Sequence, residues 1–397
     1  MHSGRLLFIS NVLAMANQHG GCVYPHAILT ELHRSGVAID YAWLGRPLHQ
    51  GRRLMRDPLT MPYVSRGFVN GTRRIGGFLI PRSLGEFTRQ AEADPGEHYA
   101  TDAEQQFAAR LIRRLQPDAV LIDGTVTLTL LDGLSPADRA KIRVGVLTHN
   151  LNSRRTDLYR ACGQPLDFLP MTAREEAELL ARADMIVAIQ EREAEAFAQL
   201  CPRRTVVTVP MSVRPAPQPQ AMATKGRCLF VGGHTGHNIE ALRWLFREVW
   251  PQVRKTDPDS ELVVAGTVGK AFTTAPDGVR IVGPVGDLQP LYAEAAISLV
   301  PLPMGTGLKI KLVEAMAWGR AVVTTPAGAE GFADIENGQV AVVSSTAAEF
   351  AGAISRLLRD PQWRETVAQR QLAWVERRLN PQAVISPLNG LWSPALN

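Results

Sequence analysis

The sequence predicts an α/β protein of two similar domains, each a parallel sheet wound with helices, and three observations carry that prediction. Short apolar runs alternate with helical patterns along the whole chain, the grammar of strand–helix–strand units with a buried parallel sheet. At 397 residues the chain exceeds what one hydrophobic core usually supports. The grammar also restarts after Arg214-Pro-Ala-Pro-Gln-Pro-Gln-Ala-Met-Ala-Thr-Lys-Gly226, a stretch rich in proline and small residues with no apolar period. The expected division is therefore a first domain over 1–213, a linker over 214–226 and a second domain over 227–375. A proline-punctuated tail, about 376–397, need not belong to the domain it follows and can pack back on the first.

In the first half, strands are expected near 5–10, 37–43, 119–123, 142–148, 185–189 and 205–209, with helices between them. The start has the outline of a secretory signal, Arg5 before Leu6-Leu7-Phe8-Ile9 and then Ala14-Met15-Ala16. Its apolar core is only four residues long, however, and Gly20-Gly21 leads into the amphipathic Ile28, Leu29, Leu32, so strand, loop and helix is the reading taken. In the second half, Arg227 to Gly232 reads as strand, 237–250 as helix and Glu261 to Ala265 as strand. A buried strand follows at Ile297 to Leu302, a last short one at Val340 to Val343, and closing helices span about 346–358 and 361–377.

Composition excludes several classes. With 45% apolar and 20% charged residues the chain is an ordinary globular one. No uncharged apolar run reaches the length of a membrane span. Cys22, Cys162, Cys201 and Cys228 lack CxxC or metal-ligand spacing and read as free thiols of a reducing compartment. The formal charge of +5 is unevenly spread: nine arginines stand between residues 46 and 89 against Asp57 and Glu86. With Phe68, Phe78 and Phe87 interleaved, that surplus suits anionic lipid head groups, a lipid-phosphate acceptor or nucleic acid, and equally a solvated variable loop.

The stretch with the most chemistry in it is Pro301-Leu-Pro-Met-Gly-Thr-Gly-Leu-Lys-Ile-Lys-Leu-Val-Glu-Ala-Met-Ala-Trp-Gly-Arg-Ala-Val-Val. A buried strand runs into a glycine loop and then a helix, so Gly305 and Gly307 let the backbone approach a ligand while the helix start offers amide donors to an anion. Lys309 and Lys311 add positive charge where a diphosphate would sit. Glu314, three residues past Lys311 on the same helix face, is placed to accept both hydroxyls of a ribose, although the same spacing serves equally as a surface ion pair.

This stretch closely resembles the helix signature of the glycosyl transferases group 1, the large retaining family with the GT-B fold, and Glu-Ala-Met-Ala-x-Gly is its most specific part. The resemblance continues through Thr-Thr-Pro-Ala-Gly-Ala-Glu-Gly at 324–331 and, upstream, Gly283-Pro-Val-Gly-Asp287-Leu and the strand Ala-x-Ile-Ser-Leu-Val-Pro, covering 227 to about 345. It implies two Rossmann-like domains with parallel sheets facing each other across a cleft, the second binding a nucleotide sugar. It further implies that backbone at Val282 to Val285 holds the base and Glu314 the ribose, with Thr306, Gly307 and Leu308 lining the donor. Thr306 stands where the family commonly has a first glutamate, and Lys309 and Lys311 are additions to the commonest pattern. In Val231-Gly-Gly-His-Thr-Gly-His-Asn238 the family's usual lysine is missing; Gly233 and the helix start can still donate to a diphosphate, His234 can reach substrate, and Asn238 is expected as a helix cap. In the first domain Gly20 and Gly21 match a loop that contacts phosphate and acceptor, and His149, after Val144-Gly-Val-Leu-Thr, matches a histidine that touches the transferred sugar at the carboxyl end of a parallel strand.

Other motifs are weaker. Asp257-Pro-Asp259 imitates a metal-binding Asp-x-Asp but reads as a turn. Gly266-Thr-Val-Gly-Lys270-Ala is too short for a P-loop, and neither His-Glu-x-x-His nor Gly-x-Ser-x-Gly occurs. The expectation is thus a retaining, metal-independent hexosyltransferase without a cofactor, its catalytic residues His149, Lys309 and Lys311. Its partners are a nucleoside diphosphate sugar and a saccharide or lipid-linked acceptor, not nucleic acid. The expected place is the cytoplasm, with peripheral membrane contact through 46–89 and a role in polysaccharide assembly. The alternatives are a nucleotide-sugar epimerase or phosphorylase on the same architecture, or a degenerate binding protein in which Thr306 marks lost catalysis.

Overall fold

The computed structural model describes residues 4–12, 14, 20–44, 55–56, 61–70, 72–75, 78–81, 98–166, 168–219, 223–304 and 307–392. Two compact units emerge. One comprises the chain up to Ile189, Glu193–Val209 and the residues from Ile385 on; the other comprises Gln190–Arg192 and Pro210–Val384.

The strands of the first unit are β1 (Arg5–Ser10), β2 (Ala38–Trp43), β3 (Met55–Arg56), β4 (Val64–Val69), β5 (Thr72–Ile75), β6 (Phe78–Pro81), β7 (Ala119–Asp123), β8 (Arg143–Leu147), β9 (Met185–Ala188) and β10 (Thr205–Thr208). Seven of them form a parallel sheet in the order β10-β9-β8-β7-β1-β2-β4, and β3-β6-β5 form a small antiparallel one. The apolar run Leu6-Leu7-Phe8-Ile9 makes β1 a central strand buried on both faces, as an all-parallel sheet covered by helices requires. The helix Asp102–Leu115 starts at a capping box in which Glu104 Oε2 accepts from the Thr101 amide at 2.8 Å. It brings Phe107, Leu111, Ile112 and Leu115 onto that sheet, each such burial contributing about 1.5–3 kcal/mol. From β1 the chain builds outward to β2 and β4, and from β7 outward the other way, so the order reverses between β1 and β7. Ile9 pairs with Ile122 there, which leaves Ser10 and Asp123 side by side at the carboxyl ends.

The second unit repeats the plan with β11 (Arg227–Val231), β12 (Glu261–Ala265), β13 (Val279–Gly283), β14 (Ile297–Val300), β15 (Ala321–Thr324) and β16 (Val342–Val343), all parallel in the order β13-β12-β11-β14-β15-β16. Here the reversal falls between β11 and β14. Ligands bind outside the carboxyl ends of the strands at such switch points, so the loops after β11 and β14 form the crevice to examine.

Three local differences from the expected layout have physical causes. The helix expected to stop at 250 continues to Thr256, because a π turn over Leu245–Val249 bonds the Trp250 amide to the Leu245 carbonyl and lets Pro251 follow inside the helix. The described parts of the proline-rich segment, 214–219 and 223–226, are tied to the second unit: the amides of Ala216 and Gln218 donate to the carbonyls of Ala317 and Trp318 at 3.0 Å each, and the Thr224 amide donates to that of Glu294 at 2.9 Å. The long helix Pro361–Arg378 stays with the second unit, where buried Gln371 accepts from the Val322 amide of β15 at 3.1 Å. The chain rejoins the first sheet only from Ile385, with Leu391 packed on Gly145.

The arginine-rich segment lies mostly outside the described residues. Arg66 is described, and its guanidinium pairs with Asp40, from Nε to Oδ1 at 2.7 Å, so it adds nothing to a free positive surface.

Candidate active site

In the second unit, β11 ends in Gly232-Gly233 and the chain turns at Thr235 into the helix Gly236–Trp244. This loop is braced from β12: the His234 amide donates to Thr267 Oγ1 at 2.9 Å, and Gly266, at φ +98°, lies so close that a Cβ there would sit 2.2 Å from the Gly232 carbonyl oxygen. Only glycine fits that approach. A side chain at Gly233 would meet nothing nearer than Thr267 Oγ1 at 4.0 Å, so this glycine faces open space. The His234 side chain is exposed at the rim.

Across the same crevice, β14 leads through Pro301 to Gly307 (φ +70°), Leu308 and Lys309, and the helix Ile310–Ala317 follows. Gly305 and Thr306 lie outside the described residues. Lys309, expected to add positive charge for a diphosphate, is the residue before the helix, 5% exposed, with Nζ donating to the Gly307 carbonyl at 2.8 Å and standing 3.9 Å from Glu330. Much of its charge is therefore spent within the loop. Lys311 is placed differently, reaching Asn238 Oδ1 on the β11 side and lying 5.2 Å over the Phe230 ring. Asn238 is thus no helix cap, a position Thr235 holds; its Nδ2 donates to the Gly233 carbonyl at 2.9 Å.

Glu314 shares the helix face with Lys311, and each keeps a partial opening to solvent. Burial pulls the Lys311 ammonium down to about 7, with Lys309 adding to the fall and Glu314 opposing it. Burial pushes the Glu314 carboxyl up to about 7, with Lys311 opposing. A crevice holding two groups poised at neutrality invites a ligand that supplies the missing charge and hydrogen bonds. Beneath them the fully buried Tyr292 hydroxyl has no partner among the described residues, and its ring stacks on Trp318 at 5.8 Å. Burial, reinforced by Glu314, holds that phenol well above its ordinary value. Val282 lies near the end of β13 and Val285 just past it, both half-buried.

The first unit has its own constellation at the β1/β7 reversal. His149 follows β8, and its Nε2 lies 2.6 Å from Asp123 Oδ1; Ser10 Oγ donates to Asp123 Oδ2 at 2.7 Å. Tyr24 meets the imidazole edge-on at 5.5 Å and donates to the Val209 carbonyl. The loop carrying His149 is fixed by two buried carboxylates: Glu176 accepts from the amides of Asn152 and Ser153 at 2.8 Å each, and Glu193 from that of Leu151 at 3.2 Å. Gly20 and Gly21, expected in a loop, are the first residues of the helix Gly20–Arg34.

Of the residues singled out in the sequence, Gly233, Lys311 and Glu314 lie at the β11/β14 crevice and His149 at the β1/β7 reversal, whereas Lys309 turns back onto its own loop; Asp123, Ser10, Thr267 and Tyr292 join them without having been singled out, and Asn238 is a bridge and not a cap. Asp123 carried a usable signal, an acid ending the buried run Ala-Val-Leu-Ile before a glycine. The discounted Gly266-Thr267 segment proves to be a brace. Asp257, in the imitation metal motif, pairs with Arg359 at 2.6 Å.

Residues 225–360 match the family described as Glycosyl transferases group 1. A Klebsiella pneumoniae protein described as an uncharacterized 44.6 kDa protein in cps region is 26% identical over 172 residues, 40% of this chain; the match spans 44% of that relative's length. Among solved structures, sucrose-phosphate synthase from Thermosynechococcus elongatus aligns with a TM-score of 0.70 and 16% identity over 98% of both chains. HepE of Anabaena in complex with UDP aligns with a TM-score of 0.65 and 14% identity over 97% of this chain and 98% of its own. At such identities the likeness is one of fold, the paired parallel-sheet architecture expected from the sequence.

Proposed function

We propose that this chain, a member of the glycosyl transferases group 1 with the GT-B fold, transfers a hexose from a nucleoside diphosphate sugar to an acceptor hydroxyl with retention of anomeric configuration. One observation carries the reading. At the β11/β14 reversal the glycine loop 232–233, the Lys311 ammonium and the Glu314 carboxylate converge on one crevice, and they match in kind the diphosphate and ribose of such a donor.

In this proposal Glu314 accepts the ribose hydroxyls, backbone at Val282 to Val285 meets the base, and Lys311 with the amides of Gly233 and His234 receives the diphosphate. The bond from the sugar's anomeric carbon to the diphosphate oxygen breaks and that carbon bonds to the acceptor oxygen on the same face. The acceptor proton passes to the departing phosphate oxygen, so no protein base and no metal is required. Negative charge grows on the diphosphate as it leaves, and Lys311 stabilises it more in the transition state than in the ground state. His149, held by Asp123, aligns the transferred sugar. Because HepE binds UDP in its solved complex, UDP-glucose is the first donor to try, and the cps-region setting of the Klebsiella relative supports a polysaccharide acceptor. Among the described residues no helix is long and apolar enough to cross a membrane; work at the cytoplasmic face on a growing chain is part of the proposal.

The test is proton NMR of UDP-glucose, GDP-glucose and ADP-glucose incubated with the protein and candidate saccharide acceptors. Loss of the donor's anomeric signal with a new α-anomeric signal supports the reading. A β-anomeric product overturns retention, and donors left intact with every acceptor overturn transfer from these nucleotides.

A further inference from the structure

One polar side chain ties the two halves of the β11/β14 crevice together. Asn238, 4% exposed, stands in the first turn of the helix Gly236–Trp244. Its Nδ2 donates to the Gly233 carbonyl and its Oδ1 accepts from Lys311 Nζ. Those partners leave the amide one orientation: a carbonyl can only accept and an ammonium can only donate. The loop backbone lies against it so tightly that a Cβ at Gly232 would sit 3.3 Å from the amide. The loop that lacks a cation of its own is thereby joined to a cation from another segment of the chain, 73 residues away.

We propose, resting on the reading that this crevice binds a nucleoside diphosphate, that Asn238 is a positioning residue that holds the Lys311 ammonium at the mouth of the Gly232–Thr235 loop, where it serves the diphosphate. The choice of an amide follows from the electrostatics. A neutral acceptor fixes the ammonium without cancelling its charge, whereas a carboxylate would hold it and neutralise it. The charged groups around Lys311 are Lys309 and Glu314 from its own segment, with Glu330 set against Lys309.

Lys311, held down to about 7, must be protonated to receive the diphosphate, so donor affinity falls as pH rises beyond that value, by up to about tenfold per pH unit. Calorimetric titration of UDP-glucose, whose diphosphate does not titrate between about pH 6 and pH 9, reads this alkaline limb. In Asn238→Asp the limb should move up by about one pH unit or more, since the added carboxylate favours the charged lysine, and affinity at pH 6.5 should be at least several-fold weaker. In Asn238→Leu affinity should be about tenfold weaker or more. Lys311→Arg, which does not titrate, should flatten the limb in both the native and the Asn238→Asp backgrounds. Thermal unfolding of each variant without ligand confirms that it folds, and if Asn238→Leu does not, Asn238→Asp carries the test. A limb that stays at its native pH in Asn238→Asp overturns the proposal, as does a native titration flat across this range. Failure of the native protein to bind UDP-glucose, GDP-glucose or ADP-glucose at any pH overturns the functional reading itself, and the role of Asn238 with it.

Discussion

Replacing Lys311 by methionine should stabilise the ligand-free protein while removing its response to donor. The lysine is carried into the fold at a cost, because burial lowers its ammonium from 10.5 to about 7. Taken whole, a fall of that size corresponds to about 5 kcal/mol, but the side chain keeps part of its exposure to water and a net cost on the order of 2 kcal/mol is the figure to expect. The sign follows from linkage. Below about pH 7 the folded protein must hold the charged form, so the penalty is complete; it fades as pH rises toward 10.5, where the unfolded chain is neutral too. Methionine, of similar length and apolar, should therefore raise the unfolding temperature by about 4–8 °C at pH 7 for a unit of this size, with the gain shrinking toward pH 10. Scanning calorimetry across that range, with and without UDP-glucose, measures both effects. A variant no more stable than the native protein at pH 7, or one whose gain does not shrink with rising pH, would show that Lys311 is a structural anchor and not a cation held for a ligand.

Glu314→Gln should weaken donor affinity by about tenfold or more. It should also remove the acid limb of the binding profile, which in the native protein rises with pH until the carboxyl, pushed up to about 7, is ionised; pH-resolved calorimetry reads both effects. Asp123→Asn deprives His149 Nε2 of its carboxylate at 2.6 Å and should lower kcat about ten- to a hundredfold with donor KM within about threefold, whereas an equal rise in KM alone would move Asp123 from orienting His149 to binding. Gly266→Ala forces a side chain onto the Gly232 carbonyl at a φ of +98°, and urea unfolding should show a loss of about 3 kcal/mol, a change under 1 kcal/mol removing the loop brace from the account.

How much was legible in the sequence depended on whether the interacting residues were neighbours along the chain. β1, β7 and β11 could be read because a doubly covered parallel strand is a continuous apolar run, and Gly307 through Glu314 because loop, helix start and carboxylate all lie within eight residues. The Ser10–Asp123 contact joins residues 113 apart and Lys311–Asn238 residues 73 apart, and no local period reports such a meeting. Topology supplies it: in both units the missing partners sit at the carboxyl ends of the two strands flanking the order reversal. Lys309 shows the opposite error. Its spacing promised a cation for the ligand, but the turn at Gly307 folds the side chain back onto its own loop. The π turn before Pro251 was illegible for another reason, since the sequence marks the proline but not whether the helix stops there or widens to pass it.

Whether the β11/β14 crevice is a nucleotide-sugar site can be read from a thermal-shift panel of UDP, GDP, ADP and their glucose conjugates on the native protein and on Glu314→Ala. The unfolding temperature of the native protein should rise with one nucleotide and its conjugate, and that rise should be lost in Glu314→Ala. A panel without any shift, or a shift that Glu314→Ala retains in full, would contradict that assignment.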